Sequence, residues 1–97
     1  MTDDELNAIY RALGDTTRRR IIDELALNGG QSLFALYGRI VTEHGISHSR
    51  QAFSRHLSVL EAAGIINVKW QGTTKLHFLN REPLVRLATG WLAEHRQ

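Results

Sequence analysis

Apolar residues first recur along the chain with the three-and-four spacing of a helix buried on one side. Leu6, Ile9, Tyr10 and Leu13 form such a stripe, with Thr2 or Asp3 placed to cap its start and Gly14 to end it. Asp15 then caps a second helix whose Ile21, Ile22, Leu25 and Ala26 point inward, and Asn28-Gly29-Gly30 closes it. The spacing predicts a third helix from Gln31 or Ser32, burying Leu33, Phe34, Leu36, Tyr37, Ile40 and Val41 and stopped by Gly45. A short turn, Gly45 to Ser49, holds one apolar residue and two possible N-caps. It leads into a fourth helix from Arg50 to Ala63, ended by Gly64. Phe53, Leu57 and Leu60 share one face of this helix, leaving Arg50, Gln51, Ser54 and Arg55 on a polar face.

The period then drops to two. Ile66, Val68 and Trp70 alternate with Asn67, Lys69 and Gln71, and Leu76 and Phe78 alternate with Lys75 and His77. Gln71-Gly72-Thr73-Thr74 between the two runs predicts a hairpin turn. A last helix follows, capped by Asn80, with Pro83 in its first turn and an apolar stripe of Leu84, Leu87, Ala88, Trp91 and Leu92. Three helices, a turn, a fourth helix, a hairpin and a closing helix make a mainly α fold with a small β-hairpin. A tight helix-turn-helix followed at once by such a hairpin is the plan of a winged helix, here with about five helices and a two-stranded antiparallel wing.

The length of 97 residues fits a single domain over residues 1–97. No cysteine is present, which excludes a disulfide framework, thiol chemistry and thiolate metal sites together. No apolar run approaches the roughly 20 residues needed to cross a bilayer. The acidic Met1-Thr2-Asp3-Asp4-Glu5 is unlike a signal peptide, so the expected compartment is the cytoplasm. The net charge of +2 is uninformative, but its distribution is not. Asp3, Asp4, Glu5 and Asp15 face only Arg11 in residues 1–17, whereas Arg50, Arg55, Lys69 and Lys75 face only Glu61 in residues 44–79. A basic second half points to a polyanionic partner.

Three segments resemble one family. Arg11 to Ile22 is similar to the "ALADPTRRRIL" signature of the ArsR-type repressors. Ser49 to Ile66 resembles their recognition-helix stretch, "SRQAVSKHLxVLEEAGLV", and Gly72 to Leu79 their wing, "GRxKLHYL". The resemblance runs over residues 8 to 92 and implies a winged helix-turn-helix repressor of transcription. Thr16 stands where the family usually has proline, and the segment Leu33 to His48 is several residues longer than in common members. The cysteine-containing metal box of the family's arsenic, cadmium and zinc sensors is absent.

An α-helix fits the DNA major groove, and residues at its N-terminus reach base edges. Arg50 has the geometry to pair with guanine and Gln51 with adenine, while Ser54 and Arg55 follow one turn on. Ser49 caps the helix and leaves backbone N–H groups for a phosphate. Around Gly72, Lys69, Gln71, Thr73, Thr74 and Lys75 suit phosphate or minor-groove contacts; they also suit a charged edge that blocks sheet aggregation. Helical geometry splays Arg18, Arg19 and Arg20, so one reaches a phosphate at most, and the others are expected to pair with Asp15, Asp23 or Glu24. Leu6, Ile9, Tyr10, Leu13, Leu84, Leu87, Trp91 and Leu92 offer more apolar surface than one core absorbs. The resemblance implies that the first and last helices form a homodimer interface, setting two recognition helices about 34 Å apart on double-stranded DNA.

Five histidines, His44, His48, His56, His77 and His95, are the only good transition-metal ligands. Gly45 breaks the helix that would align His44 with His48, and Glu94-His95 lacks the paired spacing of the family's interhelical zinc site, so no metal or cofactor is expected. Catalytic motifs are also absent: there is no phosphate loop, HExxH or GxSxG. Two alternatives stand beside a DNA-binding repressor. One is a repressor that answers to a metal or small ligand; the other is a winged-helix module that binds proteins instead.

Overall fold

The computed structural model describes residues 1–45 and 48–96. Its elements are α1 (Asp3–Leu13), α2 (Thr16–Leu27), α3 (Leu33–His44), α4 (Arg50–Ala62), β1 (Ile66–Gln71), β2 (Thr74–Leu79), α5 (Glu82–Thr89) and α6 (Trp91–Glu94). Ile46 and Ser47 of the expected turn lie outside the described residues. Local chemistry starts each of the first four helices. The hydroxyl of Thr2 accepts from the Glu5 amide at 3.1 Å, and the Glu5 carboxylate accepts from the Thr2 amide at 3.3 Å. Asp15, Ser32 and Ser49 each accept from the amide three residues on, all at 3.1 Å. A cap of this kind stabilises a helix by about 1 kcal/mol.

The core forms where the helical stripes and the first strand converge. Ile21 and Leu25 of α2, Leu36 and Ile40 of α3, and Phe53, Leu57 and Leu60 of α4 share it with Ile65 and Ile66. Phe53 is 1% exposed, so replacing it by alanine would cost about 3–5 kcal/mol. Two expected core residues lie outside: Ala26 and Phe34 are exposed, because α2 and α3 turn narrower faces inward than their apolar residues span. The place on α2 goes instead to Glu24, whose carboxylate accepts from the side chains of Gln31 at 2.8 Å, Asn28 at 3.1 Å and Arg39 at 3.3 Å. Burial alone would raise its pKa, but these three donors outweigh it and hold the carboxyl below its ordinary range.

The hairpin pairs Ile66 with Leu79 through to Gln71 with Thr74, leaving Gly72 and Thr73 as a two-residue loop. Gly72 adopts φ 62°, which a hairpin this tight requires and glycine takes without strain. A further bridge joins Gln31 to His77. The expected alternation of β2 is inverted there. His77 is buried rather than polar-facing, because its backbone N–H donates to the Gln31 carbonyl at 2.9 Å and its Nδ1 lies 2.8 Å from the same oxygen. Gly30, at φ 79°, passes so close to Phe78 that a Cβ would stand 3.2 Å from the ring. At the far end Trp70 is 67% exposed, because β1 has run past the core.

The closing helix is also not continuous. It breaks at Gly90, where a Cβ would lie 2.7 Å from the carbonyl oxygen of Arg86. Asn80 sits one residue ahead of the cap position; its Oδ1 accepts from the Glu82 amide at 3.3 Å and its Nδ2 donates to the Gly64 carbonyl at 2.8 Å. Among the described residues no helix is long and apolar enough to cross a membrane.

Candidate nucleic-acid interface

The polar face of α4 begins at its capped end. Ser49, Arg50, Gln51 and Arg55 are exposed and Ser54 is half-buried. Because residues four apart stack on a helix, Arg50 and Ser54 form one row and Gln51 and Arg55 the next. Ser54 and Ser58 share a shallow groove with Leu33 of α3 and with Glu61, Lys75 and His77. That groove brings the first turn of α3, the polar face of α4 and one face of β2 to one side of the molecule. On the wing, Lys69, Gln71, Thr73 and Thr74 are exposed. Lys75 differs, since its ammonium donates to the Glu61 carboxylate at 2.9 Å. Among the described residues Arg50, Arg55 and Lys69 make no ion pair with a carboxylate.

Behind this face α4 is seated on a polar junction that the residue pattern does not reveal. Nδ1 of His56 lies 3.1 Å from a guanidinium nitrogen of Arg18 and 3.8 Å from the Asp15 carboxylate. The rings of His48 and His56 stand 5.4 Å apart. Nε2 of His48 lies 3.0 Å from the Thr17 hydroxyl, and its carbonyl accepts from the Tyr37 hydroxyl at 2.6 Å. Burial lowers the pKa of His56, with the charges of Arg18, His48 and Arg55 adding to it against the pull of Asp15. The guanidinium only donates, so the neutral imidazole accepts at Nδ1 and carries its proton on Nε2.

For Arg18 and Arg19 the expected carboxylate partners are replaced by backbone carbonyls. Arg18 donates to the carbonyls of Ala12 at 2.7 Å and Arg11 at 2.8 Å, and Arg19 donates to that of Leu13 at 2.7 Å. The carbonyls at the end of α1, which lack partners from a following turn of helix, attract these cations more directly than side chains of their own helix do. Nothing in the sequence marks Arg18 and His56 as partners, which are 38 residues apart.

The apolar surface expected between the terminal helices is divided. Ile9 and Leu87 belong to the core of this chain, at 3% and 6% exposure. Leu6, Tyr10, Leu13 and Leu84 are partly buried against that core. Trp91 and Leu92 remain exposed, and Tyr10 meets the Trp91 ring edge-on at 6.3 Å. Among the described residues no group of three or more histidines and carboxylates is placed to hold a metal ion.

No protein-family model matches the chain. Over 86 residues, 89% of its length, it is 44% identical to an uncharacterized HTH-type transcriptional regulator, YuzN, of Bacillus subtilis, covering 94% of that protein. The solved structure of an ArsR family transcriptional regulator, RHA00566, superposes with a TM-score of 0.80 at 26% identity, over 97% of this chain and 89% of that one. The chain belongs to the ArsR family. It is a transcriptional regulator of the winged helix-turn-helix type, its α3 and α4 followed by the two-stranded β1–β2 hairpin. A second structure, of a homodimeric winged helix-turn-helix DNA-binding domain from Mycobacterium bovis, matches with a TM-score of 0.67 at 22% identity over 100% of this chain and 92% of that one. At that identity the likeness extends to the ArsR fold alone.

Proposed function

We propose that this ArsR-family chain is a homodimeric repressor that reads a near-palindromic operator and silences a promoter by covering it. The observation that carries the reading is the capped N-terminal half of α4. Ser49, Arg50, Gln51, Ser54 and Arg55 lie there on or beside one polar face, with Arg50 and Arg55 unclaimed by any described carboxylate. A helix in the major groove offers such residues to base edges, Arg50 to guanine O6 and N7 and Gln51 to adenine N6 and N7. Lys69, Gln71, Thr73 and Thr74 of the wing add phosphate contacts, which strengthen binding without choosing sequence. Lys75 contributes less, held as it is by Glu61.

The second subunit covers Trp91 and Leu92, which are 52% and 43% exposed, together with parts of Tyr10, Leu6, Leu13 and Leu84. That a neighbour of the same fold from Mycobacterium bovis is homodimeric supports the pairing of two subunits. Two-fold symmetry then sets the recognition helices about 34 Å apart, on successive major grooves. A repressor of this kind acts in the cytoplasm, needs no metal or cofactor to bind, and performs no catalysis.

The test is selection of duplexes from a random pool by the purified, metal-free protein, with the salt dependence measured on the winner. Enrichment of an inverted repeat with half-sites about one helical turn apart is expected. Absence of any enriched sequence would overturn the reading.

A further inference from the structure

Phe34 is a large aromatic residue that the packing of this chain does not use. It stands on the first turn of α3 and is 73% exposed, although the apolar spacing predicts its burial. Arg50 lies beside it, with Cζ 6.0 Å from the centre of its ring. An aromatic face draws a guanidinium toward it and narrows the range of a long, flexible side chain, while the donor fork stays available. Leu33, the preceding residue, borders the groove that holds Ser54 and Ser58, so this turn of α3 lies along the face of α4 that bears Arg50.

We propose that Phe34 is a specificity-determining residue: while Arg50 pairs with a guanine, the Phe34 ring covers the C5 methyl group of a thymine in the neighbouring base pair. The inference rests on the DNA-reading role of α4 proposed above and names part of the sequence read. Among the groups that base edges present in the major groove, the thymine methyl is the apolar one, and an aromatic ring is an apt cover for it. The ring and the guanidinium are held close enough to address adjacent base pairs, which are stacked about 3.4 Å apart. DNA would thereby bury a ring that the protein alone leaves in water.

The experiment starts from the selected operator. Each thymine of one half-site is replaced in turn by deoxyuridine, which removes the methyl group and nothing else. Affinities of wild type, Phe34→Ala and Phe34→Gln are measured on every duplex, with thermal melts to verify that the exposed site tolerates both changes. At one thymine beside the guanine that Arg50 reads, demethylation should weaken wild type about fourfold, the worth of one buried methyl group. The same demethylation should leave both variants unchanged. Equal sensitivity to deoxyuridine in all three proteins at every position would overturn the proposal and leave the DNA-reading role of α4 intact. So would a loss in the variants shared equally by random duplex. If no sequence can be selected at all, the role of α4 falls first and this inference with it.

Discussion

The guanidinium of Arg18 bonds at once to the carbonyls of Arg11 and Ala12 and to Nδ1 of His56, at 2.8, 2.7 and 3.1 Å. One side chain thus ties the end of α1 and the start of α2 to the inner side of α4. Arg18→Ala should cost about 2–3 kcal/mol in urea unfolding, the scale for charged hydrogen bonds with partly buried partners. Arg20→Ala, at an exposed position, should stay within about 0.5 kcal/mol. Similar small effects for both would remove Arg18 from this structural role.

The same junction makes stability depend on pH. Burial leads the lowering of the His56 pKa. The unfolded chain therefore takes up a proton near pH 6.5 while the folded chain still resists it. The contribution is whole above that pH and is lost as pH falls through the folded value. Asp15 is also lowered: burial opposes the shift, but the bond from the Arg18 amide and the charges of His56 and Arg18 prevail, so a second loss follows in more acid solution. Urea midpoints of His56→Gln should be flat where wild type first declines and should fall with it below about pH 4. A first decline that persists in His56→Gln would place its origin elsewhere.

Salt dependence separates the two lysines of the wing. Lys69→Ala should weaken operator and random DNA alike and reduce the salt slope by about one. Lys75→Ala should reduce it by less, because the Glu61 carboxylate already neutralises that ammonium. Glu61→Gln should release Lys75 and steepen the slope. Identical slopes for wild type and Glu61→Gln would mean that the pair does not restrain Lys75.

Arg50→Ala should cost roughly 1–3 kcal/mol on the selected operator and relax the preference at one base pair of each half-site. Binding to random duplex should change much less. Equal losses on both would make Arg50 a phosphate contact, and competition titrations at fixed salt distinguish the two.

Leu92→Asp places a charge in the exposed patch beside Trp91 without entering the core. Sedimentation at micromolar concentration should shift from dimer toward monomer, and operator affinity should fall with it. A dimer that persists would move the subunit contact to another face.

What could be read from the residues was what local chemistry decides. Thr2, Asp15, Ser32 and Ser49 start helices through bonds to amides three residues away, so a short window suffices. Tertiary context decided the rest. The apolar residues of α3 span a wide arc, and only the packed neighbours determine that Leu36 enters the core while Phe34 stays out. Ile9 and Leu87 have the stripe of an interface yet fill the chain's own interior. Their type and spacing say that something covers them, not which chain does. His77 is polar by composition and buried by virtue of a carbonyl 46 residues earlier. The break at Gly90 did carry a local signal, a glycine inside a helical pattern. The apolar stripe running through it concealed the interruption.

The bridge between Gln31 and His77 bears on how the wing meets its target. It fastens the middle of β2 to the segment ahead of α3, and the Gly30 amide adds a bond to the His77 carbonyl at 2.8 Å. Lys75 and Glu61 fasten the same strand to α4. A hairpin standing alone would lose much of its conformational freedom on meeting a phosphate backbone, and that entropy would be subtracted from the affinity. Here most of it is already surrendered when the chain folds. On the DNA-binding reading proposed above, docking would have only the tip around Gly72 left to immobilise, and the wing would serve as a stiff outrigger whose contacts lose little affinity to ordering.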